Sequence, residues 1–173
     1  QLEVARPQHL ERQVLWSLLV VLEAFSPALA TGESTLPLNP VQIENRKPGT
    51  GAWVLTKPAR NHEIEGYASS TSVNRGETLR FYVNTLAPTY RLTIYRMGWY
   101  GGLGARQVSG PTELTGYRQP APVHDQDTGL IECRWEHPVV QAIPAGSEGT
   151  ESWISGYYLA KLTAEPTGDE SYI

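Results

Sequence analysis

One cysteine, Cys133, and one methionine are all the sulfur this sequence contains. That excludes an internal disulfide framework and a CxxC metal or redox pair. Lysine is scarce too: eleven of the fourteen basic residues are Arg, the type suited to stacking and bidentate carboxylate pairing. A basic excess is missing. The formal net charge is −4, and setting aside residues 1–30 (Arg6 and Arg12 against Glu3, Glu11 and Glu23) leaves 12 basic and 15 acidic side chains, or −3. No footprint for nucleic acid results. Charged residues make up only 18%, too few for a long coiled coil, and no apolar run is long enough for a comfortable transmembrane helix.

What the chain does have is 13 Pro, 16 Gly, five Trp and nine Tyr over 173 residues, which argues against disorder and against an all-helical protein. The length suits one globular domain with an additional segment. That segment is at the start, where Val14 to Leu22 is an apolar run preceded by Arg6 and Arg12 and followed by Ala28-Leu29-Ala30. The layout is that of a secretory signal with an A-x-A cleavage site, which would make the protein secreted or envelope-located. An N-terminal helix packed on a partner, in a cytoplasmic protein, is the alternative. Residues 31–40 carry turn formers without periodicity and read as a linker, so the folded part is expected over 41–173.

From Val41 onward, period-2 patterns recur between Gly, Pro, Asn and Asp. In Leu79 to Asn84, Leu79, Phe81 and Val83 share one face and Arg80, Tyr82 and Asn84 the other, as in a half-buried strand. Tyr90 to Met97 repeats this with Leu92 and Ile94 inward, Leu130 to Glu136 with Ile131, Cys133 and Trp135 inward, and Tyr157 to Thr163 adds another strand. Val73 to Glu77 and Glu165 to Asp169 are turns with Gly where a positive φ is wanted. No helical stretch competes. The expected fold is all-β, an immunoglobulin-like antiparallel β-sandwich preceded by the N-terminal hydrophobic segment. Gly156-Tyr157-Tyr158 resembles a tyrosine corner, and the short return after Asp169 reads as a final strand cut short at the C-terminus.

The least ordinary stretch is Met97 to Arg106, with four glycines and two large aromatics directly after a strand. A dinucleotide loop fails, because G-x-G-x-x-G must open a helix and Gln107 takes the third glycine position. A tight turn presenting Trp99 and Tyr100 is left, flanked by Arg96 and Arg106. Two readings stand: aromatics capping the domain's own core, or an interdomain or ligand-contact platform made by Arg96, Trp99, Tyr100 and Arg106. His124-Asp125-Gln126-Asp127 imitates the start of an EF-hand, but Leu130 replaces the required glycine, so a polar turn is expected there. Ser147 lies outside any G-x-S-x-G elbow. Cys133 reads as a small core hydrophobe, and Trp53, Trp135 and Trp153 as core bulk. No catalytic residue, no metal ligand and no cofactor is assigned.

Several blocks in order carry a resemblance: Asn39 to Asn45, Ile64 to Ser69, Tyr95 to Gly102, Thr128 to Trp135 and Trp153 to Leu162. Over about residues 39–173 the chain resembles the N-terminal region of the N,N-dimethylformamidase large (beta) subunit-like family. The resemblance implies a front β-sandwich followed by a larger α/β domain, of glutamine-amidotransferase-like fold, absent from this sequence. In the true formamidase that domain carries iron held by tyrosine and glutamate side chains, and no such ligand is carried onto this chain. The implied role is a non-catalytic accessory domain of an amide hydrolase, whose partner is the downstream catalytic domain of the same polypeptide. A stand-alone secreted module binding a glycan or a protein is the alternative, and a hydrolase in its own right is the least supported.

Overall fold

The structure, a computed structural model, describes residues 37–146 and 153–173. The candidate signal segment, Ser147 and most of the proposed linker lie outside the described residues. The chain enters through α1 (Pro40–Glu44), a single turn capped by Asn39, whose side chain accepts from the Gln42 N–H while the Gln42 side chain accepts in return from the Asn39 N–H. With Pro at the first helical position this is a complete capping box. The expectation of a linker through residue 40 and of no helix is corrected here.

The strands are β1 (Ile64–Ala68), β2 (Thr78–Thr85), β3 (Thr89–Met97), β4 (Ala105–Thr115), β5 (Val123–His124), β6 (Ile131–Glu132), β7 (Val139–Ala142), β8 (Tyr158–Glu165) and β9 (Glu170–Tyr172). They pair antiparallel in a three-stranded sheet of order β1-β2-β7, a four-stranded sheet of order β4-β3-β8-β9, and the small β5-β6 ribbon. The two larger sheets face each other. Ile64, Phe81 and Val83 from one meet Tyr90, Leu92, Ile94, Ala160, Leu162 and Ala164 from the other in one buried cluster. This is the all-β sandwich expected from the alternating pattern, with Leu92, Ile94, Phe81 and Val83 inward. At the head of β8 the Tyr158 hydroxyl donates to the Ile154 carbonyl at 2.5 Å, the backward bond that defines a tyrosine corner. Gly76 (φ 85°) and Gly168 (φ 77°) supply the positive φ of the two anticipated turns.

The outer face of the four-stranded sheet is closed by a strap, residues 49–59. Lys161 on β8 spends its three ammonium protons on Glu170 of β9 (2.8 Å) and on the carbonyls of Ala52 (3.1 Å) and Val54 (2.9 Å). Glu170 in turn accepts from the Thr56 N–H and hydroxyl, and the Tyr172 hydroxyl donates to the Trp53 carbonyl. Both charges are buried and both are satisfied.

Residues 130–136 depart from expectation. Only Ile131 and Glu132 pair, with β5, and Ile131 is exposed. Cys133 is exposed rather than a core residue. The stretch instead lies over the outer face of the three-stranded sheet, where Trp135 tilts against Tyr67, itself stacked on its cross-strand neighbour Tyr82, and the Tyr67 hydroxyl donates to the Cys133 carbonyl. Trp53, Trp135 and Trp153 are each half-buried, and only Trp153 packs on the central cluster. The Asp125 carboxylate accepts the Asp127 and Thr128 N–H groups, forming the expected polar turn between β5 and β6.

Candidate functional site at the turn from β3 to β4

The glycine-rich stretch turns β3 into β4 through a 3-10 helix, Tyr100–Gly102. Gly101, Gly102 and Gly104 all have positive φ, and so does Tyr100, at 42°, where a bulky residue is strained. What holds Tyr100 there is its side chain. Its ring is 2% exposed, and its hydroxyl donates to Glu44 Oε1 (3.0 Å) and accepts from Arg96 Nη1 (2.9 Å). Glu44 Oε1 also accepts from Arg106, at 2.6 Å from Nε and 2.5 Å from Nη2, while its Oε2 meets Lys47 Nζ at 2.7 Å. Arg96 also donates from Nη1 to the Met97 carbonyl and from Nη2 to the Ser155 carbonyl, while its buried Nε meets no acceptor among the described residues.

The sequence builds this cluster from small residues as much as from charged ones. A Cβ on Gly156 would fall 2.9 Å from Arg96 Nη2, and one on Gly49 would fall 2.5 Å from the Tyr100 Cβ. The backbone therefore lies against the Arg96 guanidinium and against the base of the Tyr100 side chain. On the solvent side, the Trp99 N–H donates to the Asn45 Oδ1 at 2.9 Å, which pins the turn to the end of α1. The Trp99 ring projects outward, 71% exposed.

Burial works against ionisation of Glu44, but the hydrogen bonds from Lys47, Arg106 and Tyr100 outweigh it and hold its carboxyl below the usual carboxylate range. Burial pushes the Tyr100 hydroxyl up, Arg96 opposes this, and Glu44 adds to it. The cluster is therefore a neutral phenol between a carboxylate and a guanidinium. It is a fixed charge arrangement and contains no base poised near neutrality.

Of the four sequence candidates, Arg96 and Tyr100 face inward and are spent on this network, Arg106 is half-buried in it, and Trp99 alone stands free as a contact group. Glu44, which the sequence reading did not single out, is the residue that joins them. A tyrosine hydroxyl and a glutamate meet here, the ligand types that the family resemblance attaches to iron. The site does not fit that ion. Both carboxylate oxygens are taken by cationic donors, and Lys47, Arg96 and Arg106 would repel a further cation. Among the described residues no group of three or more His, Cys, Asp or Glu side chains comes together.

A cleft of about 1190 Å³ opens from the sandwich core beside Val73–Arg75 and Trp153–Tyr158, with Leu79, Phe81 and Ile94 on its walls. Among the described residues, Arg75 and tyrosines are its ionisable lining, and they make no acid–base pair. No helix among the described residues is long and apolar enough to cross a membrane.

Fold and site together define a β-sandwich domain with a buried Arg96–Tyr100–Glu44 network behind an exposed aromatic turn. Residues 91–173, from within β3 to β9, match the family model described as N,N-dimethylformamidase beta subunit-like, C-terminal. This stretch, a little under half of the chain, supports the family that the sequence blocks resemble; the model is described as C-terminal, whereas the resemblance is to the family's N-terminal region. No curated protein and no solved structure matches the chain.

Proposed function

We propose that this chain is a non-catalytic β-sandwich domain of an N,N-dimethylformamidase-like amide hydrolase, which packs through the turn from β3 to β4 on a larger catalytic domain of the same polypeptide. The observation that carries the reading is Trp99, a large aromatic side chain 71% exposed on a turn that Arg96, Tyr100, Glu44 and Asn45 hold rigid from behind. A preformed aromatic anchor of this kind is what an interface core uses. The family match to residues 91–173 supports the amide-hydrolase context. Any iron belongs in this reading to the catalytic domain, since the Tyr100–Glu44 pair is unfit to hold it.

The test is hydrolysis of N,N-dimethylformamide, with metal analysis, by this chain alone and by a longer polypeptide that contains it. Turnover and bound iron confined to the longer polypeptide, with association between the separately produced parts weakened by Trp99→Ala, is the expected result. Metal-dependent turnover by this chain alone, lost on a substitution within residues 39–173, overturns the proposal.

A further inference from the structure

The end of the sandwich that carries Trp99 holds more positive charge than its acid neutralises. Among the described residues, Lys47 and Arg106 make their ion pairs to one and the same carboxylate, Glu44. Arg96 donates to neutral oxygens of Met97, Tyr100 and Ser155. Arg46, next to Lys47 at the end of α1, is exposed. Among the described residues, Lys47, Arg96 and Arg106 thus gather about one anion with Arg46 beside them in sequence, on a chain whose formal net charge is −4. Beside them stand exposed apolar groups: Trp99, and Tyr157, whose carbonyl accepts from the Met97 N–H next to the turn and whose side chain is 86% exposed.

We infer that this end docks an acidic protein segment, with carboxylates placed against Arg46, Lys47 and Arg106 and an apolar side chain laid on Trp99. The inference rests on the reading that this end meets the rest of a larger polypeptide, and it adds the chemistry of the partner surface. Charge complementarity is the argument: a local cationic surplus on a chain of net negative charge selects an anionic partner surface. A protein fits better than a lipid surface. Arg106, partly exposed, is locked from the domain side and presents charge at a fixed point, which matches a fixed carboxylate. Interfacial membrane anchors instead gather mobile Lys and Arg around an apolar helix face, and one of the chain's three lysines lies here.

The experiment uses the chain labelled with nitrogen-15, with the Trp99 indole N–H resonance assigned through Trp99→Phe. Three probes are titrated: a blocked peptide alternating Glu and Leu, its Gln and Leu counterpart, and phosphatidylserine vesicles. The expected result is a saturable shift of the Trp99 resonance by the Glu peptide, with binding at least about 10-fold tighter than for the Gln peptide and weakened by salt. Arg46→Glu should remove that preference and leave the rest of the spectrum unchanged, because the Arg46 side chain is exposed and makes none of the bonds to Glu44. Equal binding of the two peptides, a response to vesicles alone, or no response at Trp99 overturns the inference. Loss of association between separately produced parts on Trp99→Ala, together with no charge preference among the peptides, would sink the acidic partner and leave the docking role standing.

Discussion

Arg96 and Arg106 stand directly opposite each other across β3 and β4, and the Tyr100 hydroxyl and the Glu44 carboxylate link them in series. Like charges in cross-strand register repel, so the pair persists because the intervening groups receive a hydrogen bond from each guanidinium. Glu44 reaches this position from α1, outside the sheet altogether. The short capped helix is thereby fastened to the sandwich by this carboxylate, together with the Asn45 side chain on the Trp99 N–H.

Removing that carboxylate should loosen both. Glu44→Ala leaves the buried Tyr100 hydroxyl without its acceptor and removes the carboxylate behind Arg96, while Arg106 and Lys47 can turn partly to water. A loss of about 2–3 kcal/mol in urea unfolding is expected, below the full cost of a wholly buried pair. The Trp99 and Asn45 amide resonances should move with it. A change under about 0.5 kcal/mol would mean that the network adds nothing to stability.

Neighbouring residues in the turn should behave in opposite ways. Trp99→Ala removes a ring that is 71% exposed and should change stability by less than about 0.5 kcal/mol. Tyr100→Ala empties a fully buried site and breaks two hydrogen bonds, and should cost about 3–5 kcal/mol. Thermal melts of the two variants in parallel decide it. A large loss for Trp99→Ala would place its ring in the core, contrary to its observed exposure.

The strap over the four-stranded sheet yields a coupling test. Lys161→Met removes the ammonium that binds Ala52, Val54 and Glu170, leaves a buried carboxylate short of its cation, and should cost about 3–5 kcal/mol. Glu170→Gln should be costly for the matching reason. The double variant should lose less than the sum of the singles by at least about 1 kcal/mol, since the second change removes a charge already stranded. Strict additivity in denaturant titrations would show that the two side chains are not energetically paired.

The strands were legible in the sequence because each lays one face on the same core: burial alternates along β2, while β3 and β8 keep an apolar inward face and also bury residues of the other, such as Tyr95 and Lys161. Residues 130–136 alternate just as cleanly and are not a core strand. Their apolar positions serve the outer face of a sheet at Trp135 and the solvent at Ile131 and Cys133, a distinction that periodicity cannot make. The α1 capping box was present in Asn39-Pro40 and Gln42, yet five residues are too few for a helical repeat to show. In the site, the glycine turn and its four flanking candidates were readable. Glu44 was not, because its partners Tyr100 and Arg106 lie 56 and 62 residues away and only the fold brings them together.

Acid and alkali should act on different parts of the molecule. Glu44, Asp169 and Glu170 are all held below their ordinary values in the fold: burial resists this in the two glutamates but their cationic and backbone donors prevail, and in Asp169 the bond from Lys57 leads. A lowered folded value means stability that is present above the unfolded carboxylate range near pH 4–4.5 and lost as pH falls through the folded values. Tyr90 is the opposite case, since burial among Leu92, Leu162 and their neighbours pushes its hydroxyl up to about 12. Its contribution is complete below the unfolded tyrosine value near pH 10 and disappears as pH rises through about 12. Tyr90→Phe should therefore leave the melting temperature at neutral pH nearly unchanged and reduce its fall between about pH 10 and 12, while the acid limb below about pH 4.5 stays as in the parent. Melts from pH 3 to 12 on both proteins test this. Superimposable alkaline limbs would show that Tyr90 is not the group whose ionisation opens the core.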